Sequence, residues 1–283
     1  MQITHVIRGD DHISNTPRQV LLYKALGFPL PSFAHIPMIL GKDKTRLSKR
    51  HGSPSVTYYR DKGYLPDALF NYLARLSWAS GEEEKEIFTR EEIIEGFSIE
   101  RVSKHAAVFD LDKLNWMNGL YIREASLDYL LEVFLEIAPK NGLSDVNLSD
   151  EAFREYCKKV LTIMRERIKY LAQLIEEAIY FFREDYPYDE EAVEKVLKEA
   201  GARERLAVCL ERLKGLNSFT ASKLESVVRD TASELGVKAA KLIHPLRVAV
   251  SGKRVGPGLF ELLEVLGKER VINRIERTLA MLS

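Results

Sequence analysis

Apolar residues follow two rhythms along this chain. In residues 1–52 they come as short runs between polar, glycine- and proline-containing breaks. From residue 53 onward they recur mostly every three or four positions. The first rhythm predicts strands and the second amphipathic helices. Ile3-Thr4-His5-Val6-Ile7 is predicted as a strand, and Arg8-Gly9-Asp10-Asp11-His12 as the loop after it. Ser14-Asn15-Thr16-Pro17 supplies a cap and a first-turn proline for a helix that Gly27 ends. Pro29, Pro31 and Ser32 predict a loop before a second strand at 36–40.

The helical rhythm begins at Ser53-Pro54, runs through Arg60 and is broken at Asp61-Lys62-Gly63-Tyr64. A second helix starts at Pro66, with Leu69, Leu73 and Leu76 on one face. Thr89-Arg90-Glu91-Glu92 fits a capping box. Residues 109–120 read as a helix in which Trp116 and Met117 are expected in the core. Residues 139–150 are the candidate hinge. One long helix is predicted beyond it, from Phe153 to Phe182, and Asp189 is predicted to cap the next. Further helices are predicted over 192–214, 223–235 and 237–250, with Pro245 kinking or ending the last. After the Gly/Pro-rich turn 251–258, helices at 259–266 and 270–282 close a bundle. The expected fold is mostly α: a partial Rossmann-type α/β segment (1–60), a small helical region (61–140) and an all-α bundle (141–283).

Charge sharpens one stretch. The 42 Lys/Arg balance the 42 Asp/Glu over 283 residues, so contact with a polyanion must come from local patches. The segment 41–52 is such a patch, with Lys42, Lys44, Arg46, Lys49 and Arg50 against a single Asp43 and a glycine at either end. A mobile cationic loop carrying a hydroxyl at a strand end suits a polyphosphate. A solvated basic turn is the plain alternative. The two cysteines, Cys157 and Cys209, form no C-x-x-C pair, so no structural zinc and no disulfide framework are expected. No apolar run reaches the length of a membrane span, and no signal peptide is visible, so a cytoplasmic protein is expected. Asp10-Asp11-His12 reads as part of a substrate pocket, as a metal site or as a surface turn; no further ligand cluster follows it, and no metal is assigned.

Arg46-Leu47-Ser48-Lys49-Arg50 closely resembles the KMSKS-type loop of class I aminoacyl-tRNA synthetases, in the K-L-S-K-R form of glutamyl-tRNA synthetases. Arg46 stands where that pattern has Lys, which keeps the charge and replaces a compact ammonium with a planar fork. His5 to His12, Asn15-Thr16-Pro17-Arg18-Gln19, Leu111 to Asn118, Pro245 to Val250 and Pro257 to Phe260 extend the resemblance over nearly the whole chain.

The resemblance implies glutamate–tRNA ligation. Glutamate would attack the α-phosphate of Mg2+-ATP, and tRNA-Glu would then take the glutamyl group. It implies Lys49 as the catalytic cation, with Arg46, Leu47, Ser48 and Arg50 completing the ATP loop. Arg8, Asp11, His12 and Leu40 would line the glutamate and ATP pocket. Residues 61–140 would lean on the tRNA stem, and 141–283 would bind the anticodon in the helical, bacterial manner. Arg247, Lys253 and Arg254 are the weaker tRNA candidates, with a solvated helix end as the alternative. A family that attaches glutamate to queuosine in tRNA lacks this helical region. A monomer is expected.

No H-x-G-H, the family's other ATP motif, occurs in the 283 residues. The half-sheet that bears it is expected before Met1, so the first strand should expose an unpaired edge. The isolated chain is then expected to be a catalytically incomplete tRNA-binding fragment, or one piece of a split enzyme, without ATP–pyrophosphate exchange. An unrelated helical scaffold with a nucleotide-binding role is the third reading.

Overall fold

The structure is a computed structural model that describes residues 2–47, 55–81 and 85–282. The chain forms two compact units, Met1–Tyr121 and Ile122–Ser283.

The first unit opens with β1 (His5–Gly9), a 3-10 turn over Asp10–Asn15, α1 (Thr16–Ala25), β2 (Ser32–Ile36) and β3 (Ile39–Leu40). β1 and β2 pair in parallel, with Arg8 opposite His35 and Gly9 opposite Ile36. The second strand therefore begins at Ser32, earlier than the apolar run suggests. It stops at Pro37, which has no N–H to donate to a ladder. β3 pairs in parallel with β4 (Ala107–Val108). Among the described residues β1 has one strand neighbour, and Ile3 and Ile7 are exposed. Leu21, Leu22 and Leu26 of α1 are likewise exposed.

The rest of the unit is helical: α2 (Val56–Asp61), α3 (Pro66–Ser77), α4 (Arg90–Gly96) and α5 (Leu111–Glu124), which runs past the division at 121. The expected capping box forms, with Thr89 Oγ1 accepting from the Glu92 N–H at 3.1 Å and the Glu92 carboxylate accepting from the Thr89 N–H at 2.8 Å. The buried face of α3 is Ala68, Leu69, Asn71 and Tyr72, and Leu73 is exposed. Met117 is fully buried, as expected, whereas Trp116 is 43% exposed, because adjacent helical positions point about 100° apart.

Two buried amides substitute for secondary structure in this unit. Asn118 Oδ1 accepts from the Leu65 N–H at 2.8 Å. Asn71 accepts from the Phe88 N–H at 3.1 Å and donates to the Glu86 carbonyl at 2.8 Å. Each satisfies backbone groups that would otherwise be buried without partners.

The second unit comprises α6 (Leu127–Ile137), α7 (Glu151–Met164), α8 (Gln173–Glu176), α9 (Glu190–Ala192), α10 (Ala202–Lys214), α11 (Ala221–Glu234), α12 (Ala240–Ser251), α13 (Leu259–Leu266) and α14 (Lys268–Met281). The predicted helix from Phe153 to Phe182 is not continuous; α7 ends at Met164. Ile168, Leu171, Ala172, Leu174, Ile175, Ala178 and Phe181 are all buried, more than one helical stripe can hide, so the chain bends to enclose them. The Gln173 side chain accepts from the backbone N–H groups of Lys169 and Tyr170, which closes the bend. The predicted 192–214 helix also breaks: its first segment ends at Leu197, and Gly201, at a φ of +75°, caps the start of α10. Pro245 neither ends nor starts α12. The carbonyl of Lys241, left without its helical donor, accepts from Arg205 Nε at 3.3 Å.

Residues 139–150, read as a hinge, hold a 3-10 turn at Pro139–Asn141, a left-handed Gly142 and a fully buried Leu143. Arg183 Nη2 donates to the Gly142 carbonyl at 2.7 Å. A buried arginine knits the end of this unit together. Arg274, 1% exposed, donates to the carbonyls of Val250 at 2.7 Å and Tyr180 at 2.8 Å and to both oxygens of Glu184. Cys157 and Cys209 are buried, and burial pushes both thiols up to about 12.

Candidate functional site

The parallel register of β1 and β2 brings the first cluster together at the carboxyl ends of the strands, where open α/β sheets place their ligands. Arg8 Nη2 donates to Thr16 Oγ1 at 2.7 Å, and Arg8 Nε donates to His35 Nε2 at 3.4 Å. Thr16 Oγ1 and His35 Nε2 lie 2.9 Å apart. The guanidinium carbon sits 5.4 Å from the centroid of Phe33. Thr16 reaches this position because the 3-10 turn Asp10–Asn15 leads straight into α1. Neither Thr16 nor His35 is prominent in the sequence. The only signal was the Asn15-Thr16-Pro17 helix start and an imidazole inside an apolar run.

The second cluster is built by a hairpin. The Lys44 N–H donates to the Gly41 carbonyl at 2.9 Å and the Gly41 N–H to the Thr45 carbonyl at 2.8 Å. Leu40 bridges Arg46 in antiparallel fashion, and the Leu47 N–H donates to the Ile39 carbonyl at 2.9 Å. This is a three-residue turn closed by a left-handed residue, Lys44, at φ +61°. The Asp43 carboxylate accepts from the Thr45 N–H and hydroxyl at 3.0 Å and fixes the tip. Up to Leu47, then, the segment expected to be a mobile loop is a bonded turn. Ser48, Lys49 and Arg50 lie outside the described residues.

The hairpin is held on two sides. Arg46 Nη1 pairs with Asp11 Oδ2 at 3.1 Å, so two predicted site residues, far apart in sequence, meet. His12 Nε2 lies 3.9 Å from Asp11 Oδ1. Lys42 Nζ donates to Asp112 Oδ2 at 2.7 Å and lies 3.9 Å from Asp110 Oδ1. The hydrogen bond and charge of Asp112 raise the Lys42 pKa above its ordinary value. Leu40 supplies the strand end from which the turn springs. Gly9 keeps the approach open, because a Cβ there would stand 2.6 Å from Asp11 Oδ1. Among the described residues no three His, Cys, Asp or Glu converge on a metal position.

In the second unit, Lys253 and Arg254 line a cleft of about 810 Å3 together with Asp189, Glu191, Lys241 and His244. Arg254 Nη1 lies 3.2 Å from Glu191 Oε1, and Val255 beside it is 75% exposed. Arg247 is not a cleft residue. It is half-buried, donates to the Pro257 carbonyl at 2.7 Å and braces the turn that presents the other two. Its burial works against its charge and lowers its pKa. Among the described residues no helix is long and apolar enough to cross a membrane.

Residues 1–116 match the family "tRNA synthetases class I (E and Q), catalytic domain", and residues 127–279 match "Anticodon binding domain". The chain is 46% identical over 277 residues to a glutamate–tRNA ligase of Moorella thermoacetica, covering 98% of this chain and 56% of that relative. It is 46% identical over 282 residues to one of Syntrophobacter fumaroxidans, covering 99% and 58%. Among solved structures, a glutamate tRNA ligase from Elizabethkingia meningosepticum, in complex with its amino acid, superposes with a TM-score of 0.80 at 30% identity. That match covers 100% of this chain and 58% of the other. The chain thus spans little more than half the length of the relatives it matches.

Proposed function

From the premise that the chain belongs to the glutamate–tRNA ligase family of class I synthetases, we propose that it takes part in ATP-dependent attachment of glutamate to tRNA-Glu. The observation that carries the reading is the meeting of Arg46 with Asp11, beside the Arg8 cluster, at the strand ends. It brings Arg46, the first residue of the signature motif, against the segment that follows β1.

In this reading Arg8 holds a carboxylate of glutamate with its planar fork. An oxygen of the α-carboxylate attacks the α-phosphorus of ATP, the bond to the bridging oxygen breaks, and pyrophosphate leaves. Lys49, with Arg46 and Arg50, balances the charge that moves onto the leaving group, and Ser48 and Leu47 shape the loop. A ribose hydroxyl at the 3′ end of tRNA-Glu then attacks the glutamyl carbonyl, and AMP leaves with the electron pair of the broken bond. Asp11 orients Arg46, and His12 and Leu40 line the pocket. Most of the rate arises from positioning and charge compensation, since the protein forms no covalent bond to substrate. Lys253 and Arg254 contact the anticodon arm, with Arg247 supporting their turn. ATP with Mg2+, glutamate and tRNA-Glu are the proposed partners of a cytoplasmic monomer.

The test is a chimera in which residues 2–283 replace the matching part of the M. thermoacetica ligase. Glutamate-dependent ATP–pyrophosphate exchange is expected, falling at least about a hundredfold in Lys49→Ala, the size typical of losing one transition-state charge contact. A folded chimera with no exchange, or one indifferent to Lys49, refutes the assignment.

A further inference from the structure

Arg8 is half-buried, and its described partners are a hydroxyl, an imidazole and an aromatic ring, with no carboxylate among them. A cation held only by uncharged or weakly basic groups in a partly desolvated place is poised for an anionic ligand. The particular atoms engaged say more. Nε and Nη2 form one edge of the guanidinium plane, and that edge is taken by His35 Nε2 and Thr16 Oγ1. Among the described residues, none takes the two hydrogens of Nη1 or the second hydrogen of Nη2, and together these make the end-on fork that binds a carboxylate in bidentate fashion.

The bracket is itself braced. Thr16 Oγ1 accepts from Arg8, so its own hydrogen is free to go to His35 Nε2 at 2.9 Å or to the His12 carbonyl at 3.3 Å. When it goes to the imidazole, Nε2 accepts from both Thr16 and Arg8, and the ring hydrogen resides on Nδ1. The strand register fixes His35 beside Arg8, and the start of α1 fixes Thr16.

We propose that Thr16 and His35 are positioning residues that lock the side edge of Arg8, so that its end-on fork receives a carboxylate of the glutamate substrate. This rests on the reading of Arg8 as the substrate-carboxylate contact. The lock removes rotamer freedom before binding and favours a carboxylate, which accepts two parallel bonds, over an amide, which accepts only through its oxygen.

The full 283-residue chain is titrated with glutamate and with glutamine. Binding is read by calorimetry, and the Arg8 Nε–H resonance, assigned by its loss in Arg8→Lys, by NMR. Thr16→Val and His35→Phe are expected to weaken glutamate binding about tenfold each, the size of one lost charge-assisted bond, and to speed exchange of the Arg8 Nε–H. Thr16→Ser keeps the hydroxyl and should restore both, while glutamine affinity should hardly change. Thr16→Val matching the wild type, against a wild type that depends on Arg8, overturns the positioning role alone. Arg8→Lys leaving glutamate binding unchanged removes the carboxylate reading of Arg8, and this proposal with it. Thermal melts of each variant separate loss of the bracket from loss of the fold.

Discussion

Replacing Glu184 by Gln should remove a specific, pH-dependent part of the stability of the helical unit. Burial alone would push the Glu184 carboxyl up. The hydrogen bonds and charges of Arg274 and Arg270 outweigh it and hold the group at about 2, below its ordinary value of 4.5. The contacts are close: Arg270 Nε at 2.6 Å, Arg274 Nη2 at 2.9 Å and Arg274 Nε at 3.0 Å. Taken at face value that depression corresponds to about 3 kcal/mol of linkage. The Glu184 side chain is 55% exposed, so solvent screening reduces the contribution to about 1–2 kcal/mol. A depressed folded pKa gives stability that is fully present above 4.5 and lost as pH falls toward about 2. Urea unfolding of wild type and Glu184→Gln, followed by circular dichroism between pH 7 and pH 3, measures it. The difference should be about 1–2 kcal/mol at pH 7 and shrink steadily below pH 4.5, the other carboxylates cancelling between the two proteins. Equal stabilities at pH 7, or a gap that stays constant down to pH 3, would show that the two arginines do not act through this charge.

Three further outcomes follow from local geometry. Lys44→Gly should relieve the left-handed turn by up to about 1 kcal/mol and slow hydrogen exchange at the Leu47 amide; faster exchange there would contradict the hairpin. Gly252→Ala should lower the melting temperature sharply, because a Cβ would stand 2.3 Å from the Pro187 carbonyl at a φ of +71°; an unchanged melt would refute that crowding. Asn118→Leu should cost about 1–3 kcal/mol in denaturant unfolding by leaving the buried Leu65 N–H without an acceptor, and a neutral result would mean that the amide finds another partner.

Much of this molecule is legible in its residues, and where reading fails the cause is tertiary. The Thr89–Glu92 capping box and most of the late helices follow from caps and apolar spacing, which are local. The 153–182 stretch keeps helical spacing yet bends, because residues off the stripe are also buried, and burial of a whole segment cannot be seen from one face's periodicity. Pro245 sits inside α12, and the carbonyl it strands at Lys241 is taken by Arg205, distant in sequence. At the site, Arg8, Asp11 and Arg46 stand out as charged residues at strand ends. Of their companions, His35 is chosen by strand register, which becomes visible only once β2 is seen to begin at Ser32, and Thr16 by the point where the 3-10 turn passes into α1. Arg247 shows the reverse: conspicuous as a cation, it is a brace for the turn bearing Lys253 and Arg254.

The proposal that this chain supplies tRNA-contacting parts of a ligase is tested most directly by filter binding of tRNA-Glu against the same tRNA with an altered anticodon, between about 50 and about 200 mM salt. The account predicts at least about tenfold preference for tRNA-Glu, affinity falling log-linearly with salt, and loss of the preference in the Lys253→Ala/Arg254→Ala double variant. Equal binding of both RNAs, or a preference that survives the double variant, contradicts it.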